Sequence, residues 1–338
     1  MRKPLIALVH NVPSGSEDSL DILDQAAAIE KSLNDLGYAS RRIPFTKDLD
    51  RFLSRFREAS ADIAFNLVET VDDEASLSAH PAAVFELLRV PITGSPSSAL
   101  SFTSDKVMAK RLMRSCGIRT PDYIIYEGSV SFNASYLTFP VIAKPRFEDA
   151  SIGIDQDSIF EDDRQLRRGI QPLYARHGSL LVEEYIEGRE FNVSLFGYPS
   201  PQVLPLAEIY FSSFPHNLYP IVGYRAKWDR SCFEYTHTPR IFPEGIQPAL
   251  ANEIAKTALD CFRLFGLRDY GRVDMRVNPH DKPYVLEVNA NPCLSPDAGM
   301  ASSLARIGMN YRDMVENLVR FAVQRSGQEA FPGTAGCA

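Results

Sequence analysis

The strongest constraint on this fold is a pair of alternating segments near the C-terminal end of the chain. Residues 272–277 (RVDMRV) and 284–289 (YVLEVN) alternate with a period of two, and the residues between them (NPHDKP) are typical of a turn. Because alternate side chains of a β-strand share a face, the pattern predicts an antiparallel hairpin. In the second segment, the alternation places Leu286 and Val288 together on the apolar side of this hairpin.

The opposite side of the predicted hairpin carries oxygen ligands. A register that pairs Asp274 with Glu287 also pairs Arg272 with Asn289, so that two carboxylates, an amide and a guanidinium share one face. Such oxygens suit Mg²⁺, which takes hard ligands and shares them with substrate phosphates. An arginine can stabilise a transferring phosphoryl group. A solvated face with ordinary charge pairs is the alternative. The sequence NANP at residues 289–292 disfavours it, because such a face needs no asparagine at the strand end.

The composition narrows the class of protein. The chain has 338 residues, with 36 Lys and Arg against 43 Asp and Glu, which gives a formal net charge of -7. This length predicts two or three domains of roughly 100–200 residues each. The acidic balance disfavours nucleic acid or an anionic membrane as the main partner. No apolar run approaches the ~18 residues that span a bilayer.

The cysteines and histidines point to a reducing compartment without a zinc site. The five cysteines are scattered and form no CxxC pair, which favours free thiols and a cytoplasmic protein. The six histidines include no HExxH motif, which disfavours a zinc enzyme. The short apolar run at residues 4–9 is typical of a buried first strand rather than a secretory signal.

The first 96 residues alternate short apolar strands with helices. We expect strands at residues 4–9, 38–44 and 62–67, and a helix that starts near Pro81. Between the first two strands, apolar residues from Ile22 to Leu36 recur on one helical face, after a capping box at residues 14–17 and before a stop at Gly37. This alternation predicts an open α/β domain with a parallel sheet.

A Gly-, Pro- and Ser-rich stretch at residues 91–98 marks the expected end of this domain. A disordered tail is expected at residues 327–338. The expected elements between the junction and this tail are a helix at 104–116, a strand at 139–145, a helix at 161–174, a strand at 179–186, β structure with loops at 191–242, and helices at 248–265 and 310–324.

Several residues could contact a nucleotide. Lys106 follows a Ser-Asp helix start and Lys144 ends an apolar strand, and both could bind phosphates as point charges. The loop at residues 148–153 (EDASIG) could direct backbone N–H groups at phosphates, although it matches neither GxxxxGK[ST] nor GxGxxG. The run at residues 183–186 could offer backbone groups to an adenine edge, and Glu190 could bind ribose hydroxyls. Ordinary charged surface positions are the alternative for each.

The order of these segments resembles the ATP-grasp superfamily and, within it, the D-alanine–D-alanine ligases. The similarity runs over roughly residues 1–325. No single motif is decisive, but the ordered set is specific. Its strongest parts are Gly94-Ser95, Asp105-Lys106 and residues 144–153, 183–190 and 272–292. The resemblance implies an α/β and α+β protein, in which an N-terminal parallel pre-ATP-grasp domain at residues 1–96 precedes two lobes that clasp ATP between antiparallel sheets. It implies a small lobe at residues 97–186 and a large lobe at 187–326.

The resemblance also implies a role for each matching residue. The residues implied to hold the phosphates are Lys106, Lys144, Lys227, Ser151 and Gly153. Those implied near adenine and ribose are Glu183, Glu184, Ile186 and Glu190. The implied metal ligands are Asp274, Glu287 and Asn289, which would bind two Mg²⁺ ions, with Mn²⁺ as an alternative. The implied catalytic residues are Arg272, Lys144 and Lys227.

In that family a carboxylate attacks the γ-phosphate of ATP, and an amine then displaces phosphate from the acyl phosphate to form an amide. The implied partners are therefore a small carboxylate and an amine, such as amino acids or peptides. A homodimer is implied by the resemblance alone.

The amino-acid half of the family pattern is altered here. A loop serine and a tyrosine of the family fall on Ala150 and Trp228, a carboxylate-binding serine falls on Ala298, and a glycine falls on Cys293. The ammonium-binding glutamate matches Glu17, which also fits the capping box. The expected substrate contacts are Glu17, Trp228, Arg276 and Asn291.

These departures remove hydrogen bonds that a dipeptide-forming pocket would need. We therefore expect a ligase whose product is not D-alanyl-D-alanine. A true D-alanine–D-alanine ligase with a rearranged pocket is one alternative. An ATP-binding protein without ligase activity is another, although the complete metal set disfavours it.

Overall fold

The computed structural model describes residues 3–329, except the side chains of residues 17–19 and 328–329. Its first sheet is parallel, with strand order β2-β1-β3. The elements around this sheet are β1 (Ile6–Asn11), α1 (Glu17–Asp35), β2 (Ser40–Phe45), α2 (Leu49–Ala59), β3 (Ile63–Asn66), a 3₁₀ turn (Ala75–Leu77) and α3 (His80–Leu88). The predicted parallel α/β arrangement is therefore confirmed. Both β1 and β3 are fully buried, as expected of short apolar strands covered on two faces.

Helix α1 begins without the predicted side-chain cap. Ser16 is the N-cap residue but caps no backbone N–H, and its hydroxyl lies 3.5 Å from that of Ser14 instead. The predicted capping box at residues 14–17 placed its cap at Ser14, three residues before Glu17, whereas the helix begins directly after Ser16. The capping box is therefore wrong, and the side chain of Glu17 lies outside the described residues. The predicted stop is confirmed, because Gly37 has a φ of 77°, a left-handed conformation that favours glycine.

The Gly94-Ser95 motif docks the first sheet on the large sheet. The Gly94 N–H donates to the Asp269 carboxylate at 2.8 Å, and Ser95 accepts from the N–H of Arg268 at 3.2 Å. Gly94 has a φ of 83°, and a Cβ there would lie 3.2 Å from the ring of Tyr270. A larger residue would disturb this contact.

A helix that was not anticipated begins at the end of the expected junction, residues 91–98. The chain forms α4 (Ser97–Ser104) and then α5 (Lys106–Ser115), so the expected capped helix at 104–116 is confirmed, with its start at Lys106 and not at residue 104. Asp105 adopts an extended backbone between the two helices, and its carboxylate accepts from the N–H groups of Val107 and Met108. This capping separates α4 from α5 and starts α5 at Lys106.

The second sheet is antiparallel, with strand order β4-β7-β5-β6. Helix α6 packs on one face, where Leu166 and Ile170 meet Val141 and Ala143. Because side chains alternate along β5, Lys144 lies on the other face. The elements are β4 (Tyr123–Tyr126), β5 (Val141–Pro145), a 3₁₀ turn (Gln156–Ser158), β6 (Ile159–Phe160), α6 (Asp163–His177) and β7 (Leu180–Glu184).

The third sheet follows the order β11-β10-β8-β12-β13, and β9 pairs with β8. Helix α9 covers one face of this sheet, with Ile254 and Cys261 in the same apolar cluster as Val273 and Val288. The remaining elements are β8 (Arg189–Phe196), β9 (Gln202–Val203), β10 (Ala207–Ile209), α7 (Tyr224–Trp228), α8 (Phe233–Thr236), β11 (Arg240–Ile241), α9 (Pro248–Leu264), β12 (Tyr270–Val277), β13 (Pro283–Asn289), α10 (Gly299–Ala305) and α11 (Tyr311–Glu329).

Three expectations for this region need correction. The stretch 191–242, expected to be β structure with loops, contains the short helices α7 and α8, and helix α10 was not anticipated. Helix α11 continues to Glu329, beyond its expected end and into the expected tail. Within this extension Arg325 is buried and donates to the Asp269 carboxylate and to the Ile92 carbonyl. Residues 330–338 lie outside the described residues.

No helix within residues 3–329 combines the length and the apolar character needed to cross a membrane. The domain boundaries stay a prediction.

Candidate functional site

The hairpin of β12 and β13 adopts the predicted register at its polar end. Arg272 pairs with Asn289, and Asp274 pairs with Glu287. A β-bulge follows, so that Met275 pairs with Val285.

The bulge overturns the expected position of Leu286. Val285 and Val288 are buried in the core, whereas Leu286 lines the cleft beside Glu287. The extra residue of the bulge reverses the alternation.

Asp274 is held by four hydrogen bonds from three side chains. Arg272 donates to it through Nε at 2.7 Å and Nη2 at 2.8 Å. Asn192 on β8 donates at 2.9 Å, and Asn289 donates at 3.1 Å. Asn192 can do so because β8 pairs with β12 at this level. The fork of Arg272 is thus fixed in the plane of one carboxylate.

Glu287 faces Lys106 across the cleft. The Lys106 Nζ lies 3.0 Å from Oε1 of Glu287 and 3.5 Å from the carboxylate of Asp149. Burial acts to raise the pKa of Glu287, but the charge of Lys106 outweighs it and holds the pKa below its ordinary value. Lys106 also donates to the backbone carbonyl of Glu148, in the loop at residues 148–153.

The hairpin oxygens fit a divalent cation that a nucleotide completes. Among the described residues, no cluster of three or more His, Cys, Asp or Glu side chains is arranged to hold a metal. Mg²⁺ rarely needs such a cage, because it is usually held by one or two carboxylates and substrate phosphates. Asp274, Glu287 and Asn289 offer oxygens of this kind, and Oε1 of Glu287, which lies 3.0 Å from the Lys106 Nζ, is one that an ion could use.

Two lysines share the buried carboxylate of Glu183. Lys110 and Lys144 each lie 2.6 Å from it, and Lys110 also donates to Thr120. Burial acts to raise the pKa of Glu183, but the two cations lower it. The two ammonium groups and the one carboxylate leave a net positive charge, which suits a phosphate. The side chain of Glu183 is thus committed to the lysines rather than to adenine.

Lys110 was missed in the sequence. It lies four residues after Lys106 on α5, and this spacing on one helical face is the signal that could have revealed it.

The opposite end of the cleft is built around Arg276. Its guanidinium pairs with Glu190 at 3.0 Å, donates to the carbonyl of Ile186 at 2.9 Å and lies over the ring of Tyr185. These contacts leave it little capacity for the expected contact with substrate. Arg276 instead contacts two of the residues expected near adenine and ribose, Ile186 and Glu190. Nearby, Glu184 accepts from the backbone of Thr138 at 2.6 Å.

The loop at residues 148–153 lies against the large lobe. The Trp228 indole N–H donates to the carbonyl of Ala150 at 3.0 Å, and the Ser151 hydroxyl donates to the carbonyl of Val222 at 2.7 Å. Gly153 has a φ of 72°, and a Cβ there would meet Pro145 at 2.6 Å. The loop therefore joins the two lobes at residues where the family pattern differs.

Lys227, next to Trp228 on α7, also lines the cleft. Burial, together with the charge of Arg272, lowers its pKa. No carboxylate within the described residues lies at ion-pair distance from it, so its charge is available to an anion.

An acidic pair, Asp21 and Glu69, lines the cleft near Cys293. Asp21 accepts from the thiol of Cys293 at 3.3 Å and from Ser295 at 3.5 Å. Burial, together with the charge of Asp21, raises the pKa of Glu69 to about 7. Neither carboxylate has an ion-pair partner in the described part of the chain.

Both residues were missed in the sequence. Glu69 follows the carboxyl end of a parallel strand, a frequent position for ligand-binding residues, and Asp21 lies one turn after Glu17. Asn291 lies beside them, accepting from Tyr270 at 2.6 Å and donating to the carbonyl of Val68 at 3.1 Å. Its amide therefore ties the hairpin end to the segment that carries Glu69.

Together these residues line one cleft of about 550 Å³, which is within the usual range for small-molecule sites. Lys144, Lys227, the hairpin oxygens, Trp228 and the acidic pair contribute to its lining, whereas Lys106 and Lys110 are buried beside it.

Comparison with known proteins gives a consistent result. A family model described as D-ala D-ala ligase C-terminus matches residues 112–320. The uncharacterized protein y4sG of Sinorhizobium fredii is 30% identical over 306 residues, which are 89% of this chain and 88% of that protein. The D-alanine–D-alanine ligase of Carboxydothermus hydrogenoformans is 30% identical over 313 residues, which are 88% of this chain and 92% of that ligase. The crystal structure of D-alanine–D-alanine ligase from Bacillus anthracis complexed with ATP superimposes with a TM-score of 0.76 and 21% identity, covering 97% of this chain and 100% of that one.

Two antiparallel sheets around a lysine-lined cleft, preceded by a parallel α/β domain, define an ATP-grasp ligase. The predicted fold class is thus confirmed. Since the family match covers more than half of the sequence, the chain belongs to the D-alanine–D-alanine ligase family.

Proposed function

We propose that this enzyme is an ATP- and Mg²⁺-dependent carboxylate–amine ligase that joins amino acids or peptides other than two D-alanines. One observation carries the proposal: lysines from both lobes and the oxygens of the hairpin line the same cleft. Phosphoryl transfer requires this combination, because cations must neutralise the charge of the triphosphate while the reactants are held in line.

Each group in the cleft has a role in this proposal. Lys106, Lys144 and Lys227 would bind the phosphates. Asp274, Glu287 and Asn289 would hold Mg²⁺, which when bound would neutralise part of the charge of the phosphates. We propose that these ligands hold two Mg²⁺ ions, or Mn²⁺ ions in their place. Ser151 and Gly153 would lie over the triphosphate, and Glu184, Ile186 and Glu190 would face the nucleoside.

The proposed reaction has two steps. A substrate carboxylate oxygen attacks the γ-phosphorus of ATP, the bond to the β-phosphate oxygen breaks, and ADP leaves. The amine of the second substrate then attacks the acyl carbon, loses a proton and displaces inorganic phosphate. Arg272, held by Asp274, would stabilise the transferring phosphoryl group. The closed loop at residues 148–153 would keep water from the acyl phosphate.

The altered pocket supports a product other than D-alanyl-D-alanine. Ala150 and Ala298 lack the hydroxyls of the family pattern, and Trp228 donates to a backbone carbonyl. Asp21 and Glu69 instead present carboxylates that suit an ammonium group.

The test is the release of ADP and phosphate in the presence of Mg²⁺ and a panel of D- and L-amino acids and dipeptides, with products identified by mass spectrometry. We expect turnover with at least one carboxylate–amine pair and no product from D-alanine alone. Turnover with D-alanine alone would favour the true D-alanine–D-alanine ligase. Nucleotide binding without turnover on any pair would favour the non-catalytic alternative.

A matched pair of variants serves as the control. Glu287→Gln removes a proposed metal ligand and should abolish ADP release. Glu253→Gln makes the same change at a surface pair with Arg119 and should leave it intact.

The homodimer and the cytoplasmic location stay predictions. Light scattering of the purified chain would test the first of them.

A further inference from the structure

Arg240 is a cation of the cleft that neither the expected phosphate set nor the hairpin uses. It begins β11 at the edge of the large sheet and lines the cleft beside Ala298 and Gly299. Its Nε is buried and has no hydrogen-bond partner. Its Nη1 makes only long contacts, to the carbonyl of Asp297 at 3.2 Å and to Ser302 at 3.4 Å.

An unpaired guanidinium N–H in such a place is unfavourable unless a ligand accepts from it. Leaving a buried donor unsatisfied costs about 1–3 kcal/mol, and more when the group is charged. No carboxylate of the described residues lies within ion-pair distance of Arg240, and the nearby carboxylate of Asp274 is occupied by Arg272. Burial, together with the charge of Arg272, lowers the pKa of Arg240, against the opposing charges of Asp297 and Asp274.

The surroundings of Arg240 leave room for a small anion. Ala298 and Gly299 begin α10 without polar side chains, and a Cβ on Gly299 would lie 3.5 Å from Nε of Arg240. Ala298 is the position where the family pattern has a carboxylate-binding serine. The structure thus removes a hydroxyl at this point and places a guanidinium next to it.

We propose that Arg240 binds the carboxylate of the amine substrate and selects acceptors that carry one. This inference rests on the proposed ligase function, and it restricts the acceptor to an amino acid or a peptide with a free carboxylate, rather than a polyamine or an amide. Arginine suits the task because its fork can donate two parallel hydrogen bonds to a carboxylate.

The experiment measures binding, so that it does not depend on turnover. The full chain is loaded with Mg²⁺ and the non-hydrolysable analogue AMP-PNP, and is titrated by calorimetry with glycine, D- and L-amino acids and dipeptides. Each compound is paired with its carboxamide. In the wild type, we expect at least one acid to bind about 10-fold or more tightly than its amide, as the loss of a charge-assisted bidentate pair would produce.

Variants then assign this preference to one residue. Arg240→Gln should weaken the acid about 10-fold or more, while the amide and AMP-PNP stay within about twofold of the wild type. Arg240→Lys should restore part of the preference, since it keeps the charge without the fork. Arg306→Gln is the matched control, because Arg306 stacks on Phe242 near the same strand but does not line the cleft.

The outcomes separate this inference from the ligase proposal. If no acid binds the wild type more tightly than its amide, or if Arg240→Gln keeps the preference, the inference is overturned. A large loss of AMP-PNP affinity in Arg240→Gln with an unchanged acid preference would assign the guanidinium to phosphate and also overturn it. An acid preference that depends on Arg240 without any ADP release would refute the ligase proposal alone. ADP release that is the same with an acid and with its carboxamide would refute only the role of Arg240.

Discussion

The Trp228 indole N–H lies 3.0 Å from the carbonyl oxygen of Ala150. These are the two positions at which the family pattern pairs a tyrosine with a serine. Here a backbone carbonyl accepts in place of a hydroxyl, so the contact between the loop and the large lobe persists although both side chains have changed. The loop can therefore contact the large lobe without the serine and tyrosine side chains of the family pattern.

This contact predicts the effect of Trp228→Phe. The change removes one neutral hydrogen bond, worth about 1 kcal/mol, from the closed position of the loop. We expect AMP-PNP affinity to fall about fivefold, which is the factor that such an energy corresponds to. Calorimetry and limited proteolysis of residues 148–153 would measure it. Ala150→Ser keeps the carbonyl and should stay close to the wild type, and equal loss in both variants would contradict this account.

The buried cluster around Glu183 predicts a large loss of stability in Lys110→Met. Removing one partner of a buried ion pair costs about 3–5 kcal/mol, because the other charge is left without compensation. We expect about 3 kcal/mol in urea unfolding, since Lys144 still pairs with Glu183. Lys256→Met breaks an exposed pair with Asp260 and should change stability by less than about 0.5 kcal/mol. A change in Lys110→Met as small as this control would contradict the prediction.

The raised pKa of Glu69 predicts a pH dependence of stability. Burial and the charges of Asp21 and Asp149 raise its pKa from 4.5 to about 7, against the opposing effects of Gln25 and Lys227. Between these values the folded chain binds a proton that the unfolded chain does not, so the stability falls as pH rises from about 4.5 to about 7.

Glu69→Gln should remove the part of this fall in stability that Glu69 causes. Each pKa unit corresponds to about 1.4 kcal/mol, so the variant should gain about 1–3 kcal/mol relative to the wild type between pH 4.5 and pH 8, because it has no charge to bury. Urea unfolding at several pH values would measure the difference. Parallel pH profiles of the two proteins would show that Glu69 ionises normally in the folded state.

Asn192 predicts a dependence on metal that the hairpin motif alone does not reveal. Its amide donates to Oδ1 of Asp274 at 2.9 Å and orients a proposed Mg²⁺ ligand. Loss of such a supporting bond typically costs about 10–100-fold in metal affinity or activity. We expect Asn192→Ala to raise the Mg²⁺ concentration needed for half-maximal ADP release by about 10-fold. Asn317→Ala, which changes an asparagine on α11, should have no such effect, and an unchanged Mg²⁺ requirement in Asn192→Ala would refute the role of Asn192.

The sequence by itself determined the elements whose form depends on the spacing of nearby residues. The alternation around Asp274 and Glu287 predicted the hairpin and its pairing, because side-chain direction repeats every two residues along a strand. The spacing of apolar residues predicted α1 and the parallel sheet for the same kind of reason. The bulge at Leu286 escaped this reasoning, since one extra residue reverses the alternation without any change in composition.

The tertiary structure alone decided which side chains meet across the cleft. Lys110 and Glu183 are more than 70 residues apart, and only the packing of α5 on the second sheet brings their charges within 2.6 Å. Glu69 and Arg240 look like ordinary charged residues in the sequence. Their chemistry depends on burial and on the charges of distant neighbours, which are properties of the folded chain and not of any short segment.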